Sequence, residues 1–163
     1  MAITQRIYPR FIKSAFFNQY FWVEDVPNVV DCVMVLCDTQ ASFNIEHGFV
    51  EDSGAPIQGI ISNSDKYFTV TLDSSAVPPD TEYFTFTVPV ITWDPAPVTP
   101  FRYGIIGAFY PGSNPALLSS YVPFIHFDFE TEQNFSTFTL TPSLTCKPTL
   151  DFTPVANPIC ATP

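Results

Sequence analysis

The sequence predicts a mainly β protein: an antiparallel β-sandwich or barrel with one short N-terminal helix and an extended Pro-rich C-terminal arm. Several segments alternate apolar and polar residues at a period of two, which is typical of half-buried strands. Turn-forming clusters separate these segments at the spacing common in antiparallel sandwiches and barrels. The 17 Pro residues lie among Phe, Val and Thr, which favours strand edges, bulges and extended arms over long helices.

Length and composition indicate a single domain with surfaces that partners cover. A chain of 163 residues is long enough for one hydrophobic core. Aromatic residues make up 16% of it and charged residues only 13%, against roughly 25% charged residues in an average globular protein. We expect some of this apolar surface to be buried against other subunits.

The charge balance narrows the choice of partners. The formal net charge is −10, with only 6 Lys and Arg residues. No basic patch can be assembled from so few cations, which argues against nucleic-acid binding and disfavours anionic membranes.

The N-terminal part predicts a helix and then a buried strand. Pro9 suits a first helical position, and a helix is expected from Pro9 to Trp22. Apolar residues recur there at helical spacing, namely Ile12 with Phe16 and Phe17 with Phe21. Residues 29–37, VVDCVMVLC, read as a strand buried on both faces. Residues 38–59 lose periodicity and predict a long polar connection that contains His47, Asp52 and Gly54.

Strands of period two follow. The first carries Phe68, Val70 and Leu72 on one face and Tyr67, Thr69 and Thr71 on the other. Residues 82–93 predict a second strand with Phe84, Phe86, Val88 and Val90 on one face, and Pro89 within it indicates an edge or a bulge.

Three later segments complete the predicted sheet. Residues 101–110 are almost wholly apolar and predict a central strand, in which Gly104 and Gly107 mark a bulge or a close neighbour. Residues 121–129 alternate again, with Tyr121, Ile125, Phe127 and Phe129 together, and residues 135–140 form a Thr-rich strand.

The C-terminal segment predicts an arm rather than part of the core. It is rich in Pro and poor in charge, and its apolar residues are isolated. Such a segment cannot fold alone. We therefore expect a β-domain with its N-terminal helix over residues 1–143 and an extended arm over residues 144–163, which lies on a neighbouring subunit.

The residues that could carry chemistry have simpler structural explanations. Asp52-Ser53-Gly54 has the letters of an aspartic-protease loop, but Glu51 precedes it, and Asp, Ser and Gly are common in turns. His47 and His126 lack the spacing of a metal motif, and His126 is expected to be exposed or hydrogen-bonded. We predict no enzymatic activity, no cofactor and no metal site.

The spacing of the four cysteines favours free thiols over disulfide bridges. Cys32, Cys37, Cys146 and Cys160 have no C-x-x-C spacing. Buried or half-buried thiols are expected, and a bridge from Cys146 to Cys160 would staple the arm if one forms.

The order of the segments resembles small virion structural proteins of tailed bacteriophages. The segments that carry the resemblance are MAITQRIYPRFIKSAFFNQ, VVDCVMVLCDTQ, HGFVEDSG, KYFTVTLD, VITWDPAPVTPFRYGIIGAFY, ALLSSYVPFIHFDF and NFSTFTLTPS. Its strongest positions are Pro9, His47, Trp93, Arg102, Tyr103 and Phe127-Asp128-Phe129. It covers residues 1–143. The chain departs from the pattern in lacking a Gly-rich connection before Lys66 and in carrying the Pro-rich arm.

The resemblance implies a capsid decoration or cement protein that bridges major capsid subunits on the virion surface. Its partners would be the major capsid protein and copies of itself, in a homotrimer or homodimer. Because the N-terminus lacks a secretory pattern, we expect synthesis in the host cytoplasm. The alternatives are a tail or baseplate subunit, or a receptor- or carbohydrate-binding module, since Tyr and Phe can stack on sugars as well as fill a core.

Adhesive contacts are expected from the N-terminal aromatic segment and from the arm. The predicted partner-binding residues are Phe16, Phe17, Tyr20, Leu150, Phe152, Val155 and Ile159.

Overall fold

The structure, a computed structural model, describes residues 3–8, 29–49, 55–73, 84–109, 113–142 and 144–146. Within these ranges the protein is mainly β, as predicted, and has a single 3-10 turn at Leu118–Ser120. The strands are β1 (Thr4–Ile7), β2 (Val29–Cys37), β3 (His47–Gly48), β4 (Ala55–Pro56), β5 (Lys66–Asp73), β6 (Phe84–Thr87), β7 (Ile91–Trp93), β8 (Phe101–Phe109), β9 (Tyr121–Gln133), β10 (Phe138–Leu140) and β11 (Leu144–Cys146).

Seven strands form one antiparallel sheet in the order β1-β9-β8-β2-β5-β6-β11. Among the described residues this sheet is open, with β1 and β11 at its edges, and it does not close into a barrel. Two small ladders accompany it: β7 with β10, antiparallel, and β3 with β4, parallel. The predicted helix over residues 9–22 lies outside the described residues and stays a prediction.

The three strands β2, β8 and β9 are buried on both faces. In β2 every side chain from Cys32 to Cys37 is buried, which confirms the expectation for that apolar run. The predicted central strand is β8, which lies between β9 and β2. Two faces of one sheet must therefore be covered by other parts of the chain.

One face, which we call the tryptophan face, is covered by the β7–β10 ladder. Phe138 of β10 packs against Trp93, Phe101 and Phe129, with ring centroids 5.6, 4.8 and 5.3 Å away. On the same face, a Cβ at Gly104 would overlap Met34 Cε and would lie 3.3 Å from Phe129 Cζ. Glycine at this position lets both side chains pass directly over β8, which confirms the predicted close neighbour.

The end of β2 is tied down by Ser64. Its hydroxyl accepts a hydrogen bond from Leu36 N (3.0 Å) and donates one to Leu36 O (3.2 Å), and its carbonyl accepts one from Trp93 Nε1 (2.7 Å). Ile61 N also donates to Leu36 O. The loop before β5 thus extends the sheet beside β2 and orients the tryptophan that covers it.

Strand β5 alternates as predicted. Val70 is buried, whereas Tyr67, Thr69 and Thr71 are exposed. This alternation leaves one side of the outer sheet open to solvent.

The single strand predicted over residues 82–93 is wrong. The chain forms β6 and β7 instead, in two different ladders, and residues 88–90 separate them. Val88 is buried but Val90 is 60% exposed, while Ile91 and Trp93 are buried, so the period-two phase changes at this break. Pro89 has no amide hydrogen to continue a ladder, which accounts for the interruption.

Two other boundaries differ from the prediction. The connection over residues 38–59 is not uniformly polar and irregular, because it contains β3 and β4 and buries Ala41 and His47. Strand β9 runs four residues further than predicted, to Gln133, and the Thr-rich strand shortens to β10.

Replacing Ser64 with Ala tests how strongly this loop holds β2. Leu36 N would lose its acceptor in a buried site, whereas Leu36 O would keep the bond from Ile61 N. We expect the free energy of unfolding to fall by about 1–3 kcal/mol in urea titration. Ser62→Ala, at an exposed position in the same turn, is the control and should change it by less than about 0.5 kcal/mol. Equal effects of the two substitutions would contradict this role.

Candidate functional site

The second face of the sheet, which we call the histidine face, carries a cluster of aromatic and titratable side chains. The cluster consists of Tyr8, Phe43, His47, Tyr103 and His126. Pairing of Arg6 with His126 in the β1–β9 register brings Tyr8 onto this face, where its amide donates to Phe124 O. The connection after β2 then crosses the face and supplies Phe43 and His47.

His126 is the centre of this cluster and is only 1% exposed. Its Nε2 lies 2.9 Å from Ala41 O, and because a carbonyl only accepts, Nε2 carries the hydrogen. Tyr103 and Phe43 pack around the ring, with centroids 5.0 and 5.5 Å away. The hydrogen bond fixes the covering connection to the middle of β9.

His47 is held from the other side of the cluster. Tyr8 Oη and His47 Nδ1 are 3.2 Å apart, and the two rings are 6.1 Å apart between centroids. The sequence places His47 in a polar connection, but the structure buries it, because Tyr8 and the sheet enclose the chain at β3.

Burial keeps these groups neutral near pH 7. It lowers the pKa of His126 to about 4, an effect that the carbonyl of Ala41 and the charge of Asp128 partly oppose. Burial also lowers the pKa of His47. The pKa of Tyr8 is raised, first by burial and then by the neighbouring Cys37.

The two described cysteines that are free, Cys32 and Cys37, are buried thiols, as expected. Burial is the main cause that raises the pKa of each, followed by the adjacent carboxylates of Asp31 and Asp38. A protonated thiol is a poor nucleophile. The two thiols pack on opposite faces of the sheet, Cys37 on the histidine face and Cys32 on the tryptophan face.

Charge lies at the rim of the cluster. The Arg102 guanidinium pairs with Asp128 through Nε to Oδ1 (3.2 Å) and Nη2 to Oδ2 (3.3 Å) and lies 5.1 Å from the centroid of the Tyr103 ring. Arg6 lies 5.3 Å from the centroid of Phe43. These contacts close the cluster towards solvent.

Several large apolar side chains of the described residues are exposed outside the cluster, and they include those of two local surfaces. The first, the apolar tip, contains Val98 (92% exposed) and Phe135 (46% exposed) beside the prolines of residues 95–100. Both residues lie beyond the same end of the β7–β10 ladder, where Ala96 N donates to Ser136 O. Phe135 is stacked on Phe138, with interplanar angle 8°, so the tip is continuous with the core below it.

The second surface, the tyrosine ledge, lies on the histidine face beside Phe49 of the covering connection. It is formed by Tyr67, Phe109 and Tyr121 around Asp31. Tyr67 is 53% exposed, as alternation in β5 predicts, whereas Tyr121 is only 5% exposed and is buried against it. The prediction that Tyr121 shares one face of β9 with Ile125, Phe127 and Phe129 is wrong, because the β8–β9 register shifts between Ile106 and Gly107 and places Tyr121 on the histidine face.

The predicted partner-binding residues cannot be placed. Phe16, Phe17, Tyr20, Leu150, Phe152, Val155 and Ile159 all lie outside the described residues, as do Asp52 and Cys160. Only the first three residues of the predicted arm, β11, are described, and they pair with β6.

A scan against protein-family models found no match, and neither did searches among curated proteins and solved structures. No group of three or more His, Cys, Asp or Glu side chains in the described ranges is arranged to hold a metal ion. Among the same residues, no helix has the length and apolar character needed to cross a bilayer.

Replacing His126 with Gln tests whether burial keeps this histidine neutral in the folded protein. In the wild-type chain the histidine takes up a proton at about pH 6.5 when unfolded but only near pH 4 when folded, so stability should fall as pH drops from 6.5 to 4. The full loss is on the order of 3 kcal/mol. Gln keeps a donor for Ala41 O but does not titrate, so urea unfolding should show a flatter pH dependence over this window.

His47→Gln is the matched control. It should remove a smaller part of the pH dependence, because His47 is less completely buried than His126. A wild-type pH slope that His126→Gln leaves unchanged would show that His126 is not held neutral by the fold.

Proposed function

We propose that this chain is a non-enzymatic structural protein of a tailed-phage virion, and specifically a decoration or cement protein that bridges major capsid subunits. The observation that carries the proposal is the apolar tip. Val98 exposes its side chain on a proline-rich connection, and Phe135 exposes part of its ring on a second connection and stacks on the buried Phe138. An exposed apolar patch of this kind is typical of a protein–protein contact.

The construction of the tip supports attachment to a partner. Proline at positions 95, 97 and 100 restricts the backbone before any partner arrives, so less conformational entropy is lost on binding. Thr137 Oγ1 donates to Asp94 Oδ1 (3.2 Å), which links the two chain segments that form the tip.

The rest of the proposal keeps the expectations drawn from the resemblance. The protein sits on the capsid surface as a homotrimer or homodimer, with the N-terminal helix and the arm after β11 as further adhesive segments. The same proposal includes a β-sandwich that residues outside the described ranges would complete.

A tail or baseplate subunit would use the same tip, so the place of attachment on the virion distinguishes such a subunit from a cement protein.

A carbohydrate-binding module is the second candidate, and the observation in its favour is the half-exposed Tyr67 ring on the tyrosine ledge. Binding to the phage particle in the absence of any host glycan distinguishes attachment from sugar recognition.

Reattachment to particles that lack this chain tests the proposal. We expect the purified chain to bind at hundreds of copies per particle, counted after sedimentation, and to raise the temperature at which the particles release DNA. Val98→Asp should reduce this binding, because a charge at the tip resists desolvation. Ser62→Asp adds the same charge at an exposed turn elsewhere and should bind normally. Saturation at a few copies would indicate the tail, and absence of binding would overturn the proposal.

Removal of residues 147–163 tests the arm. The truncation leaves β11 in place beside β6, so we expect the β-domain to remain folded by circular dichroism while particle binding weakens. Unfolding of the truncated chain would show that the arm belongs to the core, and unchanged binding would remove it from the adhesive surface.

A further inference from the structure

The tyrosine ledge is built by four neighbouring strands of the main sheet. The β8–β9 register pairs Phe109 with Tyr121, and the β2–β5 register pairs Asp31 with Thr69. Since Cys32 pairs with Ala108, Asp31 falls beside Phe109 in the same antiparallel ladder. A carboxylate in β2 thus stands between aromatic residues carried by the strands on either side.

A glycine brings the aromatic rings together. A Cβ at Gly107 would lie 2.6 Å from Phe49 Cε2 and 3.0 Å from Tyr121 Cβ, so Tyr121 lies directly over the bare backbone of β8. Its ring centroid is 6.1 Å from that of Tyr67 and 5.5 Å from that of Phe109. The planes are inclined by 55° and 59°, so the rings do not form one flat platform. Tyr67 is the exposed ring of the three, since Phe109 is half-buried and Tyr121 is buried.

The ledge is negatively charged. Burial raises the pKa of Tyr67, and so do the charge of Asp65 and a hydrogen bond with it. The pKa of Tyr121 is raised first by burial and then by the charges of Tyr67 and Asp31. The Asp31 and Asp65 carboxylates are both exposed. The ledge therefore combines two acidic groups with the exposed ring of Tyr67, whose quadrupole also attracts cations.

The cationic side chains of the described residues contact or face other parts of the molecule. Arg102 pairs with Asp128, and Arg6 lies over Phe43. Lys66 precedes Tyr67 in β5 and so points to the tryptophan face, opposite Met34. Within the described ranges, no cation faces Asp31.

We propose that the tyrosine ledge binds an arginine side chain of a partner protein. A guanidinium is planar and weakly hydrated, so it can stack on Tyr67 while its N–H groups donate to the Asp31 carboxylate. Because the rings are inclined, the ledge lacks the flat aromatic platform on which a sugar stacks, whereas a guanidinium needs only the exposed ring of Tyr67. This proposal names the chemistry of one contact within the attachment function proposed above and rests on it.

The test uses the full chain and the blocked peptide acetyl-Gly-Arg-Gly-amide, followed by NMR shifts of the Tyr67 and Tyr121 ring signals. We expect saturable shifts, and binding at least tenfold weaker for the peptide in which citrulline, the neutral isostere, replaces arginine. Asp31→Asn should weaken arginine binding by about tenfold, while Glu132→Gln, which removes an equal charge at an exposed position, should leave it unchanged.

Two further variants separate the ring from the hydroxyl. Tyr67→Ala should abolish the shifts of Tyr121, and Tyr67→Phe should retain them because the ring face does the binding. Equal affinity for citrulline, or equal effects of Asp31→Asn and Glu132→Gln, would overturn the arginine site. So would saturable shifts with a neutral disaccharide in place of the peptide. None of these results would change the expected outcome of the particle reattachment experiment. Failure of this site and failure of the attachment function are therefore distinguishable.

Discussion

The structure depends on the burial of β2, β8 and β9 on both faces. A sheet whose central strands have no solvent-facing side must be covered twice, and this chain has almost no helix in its described part to do so. It uses extended segments instead. The β7–β10 ladder covers the tryptophan face, and the connection after β2 covers the histidine face. Glycine in β8 makes room for the side chains packed on it: Met34 and Phe129 of the flanking strands over Gly104, and Tyr121 of β9 with Phe49 of the covering connection over Gly107.

The extended segments that cover the sheet bring backbone N–H and C=O groups into the core. In the described residues, specific side chains form hydrogen bonds with buried backbone groups on both faces. Ser64 bonds both backbone groups of Leu36, and Trp93 Nε1 reaches the Ser64 carbonyl. On the other face, His126 satisfies the carbonyl of Ala41. The hydrogen bond of His126 therefore holds the covering connection on the sheet.

Local patterns predicted much of the sheet. Alternation predicted β5, and the continuous apolar runs predicted the doubly buried β2 and β8. The prediction failed where one residue changes the phase: Pro89 divides one apparent strand into β6 and β7, and period-two counting across it puts Val90 on the wrong side. The burial of His47 was missed for a different reason. Its partner Tyr8 is 39 residues away, and only the β1–β9 pairing brings them together.

For the candidate surfaces too, features within one strand could be predicted from the sequence, whereas contacts between distant segments could not. The alternation of β5 indicated that Tyr67 faces solvent. Period-two counting in β9 grouped Tyr121 with Phe127 and Phe129, and it failed because nothing local reveals the register shift that places Tyr121 over Gly107. The apolar tip arises where two distant connections meet, residues 94–100 and 134–136, at one end of the β7–β10 ladder. Spatial neighbours of this kind follow from strand register, which composition and periodicity do not specify.

The attachment function is tested most directly by the copy number of this chain in purified virions, measured by quantitative mass spectrometry against the major capsid protein. The account predicts a ratio near one to one, or a simple fraction of it that amounts to hundreds of copies. A few to a few dozen copies would move the protein to the tail. Its absence from virions would contradict the structural role altogether.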